Sequence, residues 1–130
     1  MIFTLLFNCL VYSLVGCSGS LQAIWKGTCT FEDNISTEDL LVTADVRRDN
    51  GYLLEGEMIL VDWDQEEYRS SLSGDHSGKY VSLRSDIDTA LGLYRFQVDA
   101  VRVGSTLDGD CQIKSPSSPG GLIGEILLER

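Results

Sequence analysis

Residues 39–61 read DLLVTADVRRDNGYLLEGEMILV. Leu40, Val42, Ala44 and Val46 alternate with polar neighbours in the first half. Leu54, Gly56, Met58 and Leu60 do so in the second, with Glu55 and Glu57 on the opposite side. A period of two puts each set on one face of a β-strand. Asp49-Asn50-Gly51 stands between the halves, and residues of this kind tolerate the left-handed backbone that tight hairpin turns require. The stretch therefore predicts a β-hairpin with one buried face.

The same period extends in both directions. AIWKGTCTF (23–31) sets Trp25, Gly27, Cys29 and Phe31 on one face. EEYRSSLS (66–73) sets Tyr68, Ser70 and Leu72, and KYVSLRS (79–85) sets Val81 and Leu83. GLYRFQVDAVRV (92–103) sets Tyr94, Phe96, Val98 and Ala100, and STLDGDCQI (105–113) sets Leu107, Gly109, Cys111 and Ile113. LIGEILLER (122–130) sets Leu122, Gly124, Ile126 and Leu128. GDHSG (74–78) reads as a turn, SPSSPGG (115–121) as a loop, and residues 32–39 as the one place for a turn of helix. Successive short antiparallel strands with brief connections predict an all-β domain over 23–130: an eight-stranded up-and-down barrel, which closes both sheet edges. A β-sandwich is the alternative.

The chain has 130 residues and a net charge of −10. Its first charged side chain is Lys26, so the whole imbalance falls on the predicted domain. Such an acidic surface repels phosphates, which argues against nucleic acid as a partner and against attachment to anionic lipid through a basic patch.

Before Lys26 lies a different kind of sequence. Residues 2–16, IFTLLFNCLVYSLVG, are uncharged. The run is shorter than the ~20 apolar residues of a helical membrane span and fits the ~7–15 of a signal-peptide core. It ends in Leu14-Val15-Gly16-Cys17. This tetrad resembles the lipobox of bacterial lipoproteins. The resemblance implies that residues 1–16 are a signal peptide removed before Cys17. It also implies that the Cys17 sulfur carries a diacylglycerol, and that 17–22 form a lipidated tether. Two or three acyl chains suffice to hold a soluble domain at a bilayer, at ~0.8 kcal/mol per buried CH₂. Ser18 after the cysteine implies sorting to the outer membrane. The alternative is an ordinary secretory signal and a freely secreted protein.

The chain has four cysteines. With Cys9 removed in the leader and Cys17 lipidated, Cys29 and Cys111 remain for one disulfide in an oxidising compartment. In a closed meander their strands, the first and seventh, are separated only by the eighth.

The opening Trp25-Lys26-Gly27 and the glycine-bearing hairpins resemble the calycin group of small barrels. That likeness implies a barrel and, as an alternative function, carriage of a small apolar ligand. It assigns no ligand residue here.

Asp62-Trp63-Asp64-Gln65-Glu66-Glu67-Tyr68 crowds carboxylates as a Ca²⁺ site does, but the EF-hand glycine and twelfth-position glutamate are missing. Asp62, Asp64, Glu66 and Glu67 are thus weak metal candidates in what reads as a solvated acidic loop. Asp86, Asp88, Asp108 and Asp110 read as polar strand faces and turns. Trp63 reads as a cap over a barrel end, with an exposed contact for a partner or a sugar as the alternative. His76, the only histidine, sits beside Asp75 and Ser77 in the expected turn. Neighbours in a turn do not assemble a catalytic triad. No nucleophile elbow or phosphate loop occurs, and no motif calls for a cofactor. The sequence leads to the expectation of a non-enzymatic, membrane-anchored envelope lipoprotein. Its domain would be a binding or structural module for an envelope protein or a small apolar ligand. A calcium-dependent adhesive or enzymatic domain is the least supported alternative.

Overall fold

The computed structural model describes residues 20–32, 37–90, 92–115 and 118–130. The predicted signal peptide, Cys9 and Cys17 lie outside the described residues. The eight strands are β1 (Ala23–Glu32), β2 (Thr37–Asp49), β3 (Leu53–Val61), β4 (Glu67–Ser77), β5 (Tyr80–Thr89), β6 (Gly92–Val103), β7 (Thr106–Ser115) and β8 (Ser118–Glu129). Each pairs antiparallel with the next, and β8 pairs back to β1, so the sheet closes into a barrel. The sandwich alternative is thereby set aside.

The alternation seen in the sequence is the inside–outside alternation of the wall. Trp25, Ala44, Met58, Leu83, Phe96, Val98 and Leu128 are fully buried, and together with their neighbours form one core along the barrel axis. Leu122 has the inward parity but is 52 % exposed, because it lies near the rim. In the β2–β3 ladder the register shifts between Val46 and Arg48. Gly56 faces this bulge, and a Cβ there would collide with the Asp45 carbonyl. Bulge and glycine together let the wall bend sharply enough to close.

Cys29 and Cys111 form a disulfide with Cα atoms 6.1 Å apart. Cys29 pairs with Ile126 and Cys111 with Gly124, so the bridge passes over the inner face of β8. Gly124 lets β8 pass close to β1 there, since a Cβ would collide with the Thr30 carbonyl and the Phe31 ring.

Three local expectations need correction. Residues 74–77 belong to β4, not to a turn; the hairpin bends at Gly78-Lys79, with Gly78 at φ +59. The period-two pattern continues through Leu72, Gly74 and His76, so His76 points inward. The expected loop at 115–121 is mostly strand, since β7 runs through Ser115 and β8 begins at Ser118. In the expected helical segment, Glu32 and residues 37–39 are strand, and 33–36 lie outside the described residues.

The meander sorts its connections into two ends. One gathers the start of β1, the hairpins at Asn50, Gly78 and Gly104, and Arg130. The other gathers the β1–β2, β3–β4, β5–β6 and β7–β8 connections, including the acidic loop 62–66.

Candidate functional site

The end that holds the start of β1 is sealed. Leu21, expected in a tether, is 1 % exposed and packs into the core. Its N–H donates to Asp49 Oδ2 at 2.7 Å, and its carbonyl accepts from Trp25 Nε1 at 2.9 Å. The Ser20 carbonyl accepts from Arg102 at 2.9 Å and Arg130 at 3.4 Å. Both guanidinium groups lie over the Trp25 ring, 5.7 and 5.1 Å from its centroid, close enough for cation–π attraction. Burial and the charge of Arg130 hold the Arg102 guanidinium below its ordinary pKa.

Asp49 organises the seal. Its side chain is 2 % exposed, and Oδ1 lies 2.8 Å from His76 Nε2 and accepts the Gly51 N–H at 2.9 Å. Burial works to raise its pKa. The hydrogen bonds from Leu21, His76 and Gly51, with the charge of His76, outweigh burial and hold the carboxyl below the usual 3.8. Among the described residues no serine, threonine or cysteine side chain bonds to His76, whose partner is this structural carboxylate. The pair fastens the N-terminal segment to the barrel.

The acidic loop at the opposite end is held by its own side chains. Asp62 Oδ1 accepts the N–H groups of Asp64 and Glu66, both at 2.9 Å. Tyr68 Oη donates to Glu66 Oε2 at 2.7 Å. That bond, with burial and the charges of Glu66 and Asp62, pushes the Tyr68 phenol up to about 12. Glu67 pairs with Arg69 at 3.2 Å. Of the weak metal candidates, Asp62, Glu66 and Glu67 are thus engaged with protein groups. Among the described residues no group of three or more His, Cys, Asp or Glu could hold a metal ion. Trp63 does not cap the barrel: it is 47 % exposed and absent from the side chains packed on the core. Trp25 covers the other end instead.

The wall itself opens between β4 and β5. Their ladder runs from Ser77↔Tyr80 to Leu72↔Ser85 and stops there. Ser85, only 3 % exposed, stitches the apex of this fork: its hydroxyl bonds to the Ser71 carbonyl at 2.9 Å and to the Ser70 hydroxyl. Beyond the apex lies a cleft of about 530 Å³ lined by Arg69, Ser70, Ser71, Ser73, Arg84, Ser85, Asp86, Asp88 and Arg95. The arginines are matched by carboxylates: Arg69 to Glu57 and Glu67, Arg84 to Asp75, and Arg95 to Asp86.

Sequence reasoning placed Cys29 and Cys111 together and missed Leu21, the Asp49–His76 pair and the fork. A signal existed for two of them. Leu21 is the one large apolar residue in a small polar segment, and His76 continues the inward parity of Leu72 and Gly74. No protein-family model, curated protein or solved structure matches this chain.

Proposed function

We propose that this chain is a lipid-anchored protein of a bacterial cell envelope, held to the membrane through Cys17, whose barrel is a non-enzymatic binding module. The observation that carries this reading is the coupling of the anchor position to the barrel. The LVGC tetrad ends at Cys17, and the carbonyl of Ser20, three positions on, is already fixed by Arg102 and Arg130. An extended chain spans at most ~3.3–3.6 Å per residue, so a lipid on Cys17 would lie within about 11 Å of the sealed end. That end would face the bilayer, and the acidic loop and the mouth of the fork would point away. At the sealed end Arg102, Arg130, Lys79 and Arg48 stand among Glu55 and Glu129, with Arg48 paired to Glu55, so charges of both signs are mixed there. Asp62, Asp64, Glu66, Glu67 and Asp88 lie towards the other, away from anionic headgroups.

Carriage of a small apolar ligand inside the barrel has less support, since Trp25, Met58, Phe96 and the Leu21 plug occupy the interior. The test is intact-mass analysis of protein purified from membrane fractions, beside a Cys17→Ser variant. A mature N-terminus at Cys17 carrying diacylglycerol, with the variant unprocessed or released, is the expected result. Identical mass and partitioning of the two would overturn the anchor.

A further inference from the structure

Two strand edges face each other across the fork without pairing. β4 runs on from Ser71 to Glu67, paired there only with β3 (Glu57↔Ser71 to Val61↔Glu67). β5 runs on from Asp86 to Asp88, paired there only with β6 (Asp86↔Arg95 to Asp88↔Leu93). The direction of the main-chain groups follows from the alternation of an antiparallel ladder. The His76 N–H donates to Tyr52 on the β3 side, so even-numbered residues of β4 bond towards β3 and odd-numbered ones towards β5. Arg69 therefore presents its N–H and C=O to the gap. By the same register, Ser77↔Tyr80, Asp75↔Ser82 and Ser73↔Arg84, Asp88 presents its own from the other arm.

An unpaired edge is a template for another strand. Here it is preformed, because the Ser85 hydroxyl fixes the apex, and the cleft's size is in the ~300–1,000 Å³ range of ligand sites. Its chemistry selects the occupant. An added strand would send alternate side chains inward, over Tyr68, Ser70 and Ile87, where apolar groups fit. Its other side chains would face the outer rim. There the arginines are already paired, and Asp88 makes no ion pair among the described residues, so the rim has a carboxylate to spare. A second copy of this chain, at net −10, would bring like charge to that rim; a basic segment would not.

We propose that the fork between β4 and β5 is a strand-addition site for an extended segment of a partner protein that alternates apolar and basic residues. This rests on reading the barrel as a binding module and is independent of the anchor. The test uses the purified mature protein in detergent and a short synthetic peptide alternating valine and lysine. Amide exchange measured by NMR should slow at Arg69 and Asp88 when the peptide is added. The same peptide N-methylated at alternate residues, which cannot complete a ladder, should fail to bind. Arg69→Pro removes the edge N–H without touching the β3 ladder and should weaken binding by about tenfold or more. Asp88→Lys keeps every backbone group, and should shift preference from the valine–lysine peptide to a valine–glutamate one. Equal binding of the N-methylated peptide, protection confined to other strands, or no protection at millimolar peptide would each overturn the site. Cys17 mass analysis reports separately on the anchor, so either conclusion can fail while the other stands.

Discussion

Asp49 is the residue on which the sealed end depends. Its carboxylate accepts two main-chain N–H groups and faces His76; the bonds with Leu21 and His76 are partly buried, and the one with Gly51 lies at the surface. Asp49→Ala leaves the buried Leu21 N–H without an acceptor, a loss of roughly 1–3 kcal/mol on the usual scale for an unsatisfied buried group. Thermal unfolding should show that loss, and limited proteolysis should cut near Gln22 in the variant before the parent. The effect also has a pH signature. Because the folded carboxyl lies below its ordinary value of 3.8, its contribution is fully present above that value and is lost as pH falls through the folded pKa. Acid unfolding of Asp49→Asn should therefore be shallower than that of the parent below about pH 4; parallel curves would remove Asp49 from the seal. The pair was hard to read because its partners are far apart in the chain. His76 and Asp49 are separated by 27 positions, and only the ladder arithmetic of β2, β3 and β4 brings them together.

Strands were far more legible than their joints. Alternation is imposed by burial on one face, so the runs read as strands between residues 23 and 130 appear in the barrel with that face inward, the rim residue Leu122 apart. Glycine and serine at inward positions blurred the limits instead. Gly74 interrupts the apolar series before His76, and the serine-rich 115–121 reads as loop although most of it is strand. The fork was not legible, since the alternation of Ser71, Ser73, Arg84 and Asp86 is the same whether the strands pair or part. The disulfide was legible, because strand order alone puts Cys29 and Cys111 on either side of β8. Its sequence separation of 82 implies a stabilisation of ~4 kcal/mol by chain entropy. Calorimetry with and without reductant should show a marked fall in melting temperature on reduction, while lipid content stays the same. An unchanged melting temperature would mean that β8 is held by its ladders alone.

The whole barrel is asymmetric, and its two tryptophans mark the asymmetry. Trp25 is buried beneath Arg102 and Arg130 at the sealed end, whereas Trp63 is 47 % exposed on the acidic loop at the other. Strands of nine to thirteen residues, each rising ~3.3 Å per residue and tilted, separate these ends by far more than a tether of three residues can reach. The electrostatic field acts in the same sense, since the loop carboxylates are repelled by an anionic bilayer over roughly a Debye length of ~8 Å at physiological salt. In vesicles containing phosphatidylglycerol and bromine-labelled acyl chains, the fluorescence lost in Trp63→Phe relative to the parent isolates the Trp63 signal. That signal should be insensitive to the bromines and fully open to aqueous acrylamide. Quenching of Trp63 by the bilayer label would place the acidic loop against the membrane and reverse the proposed orientation.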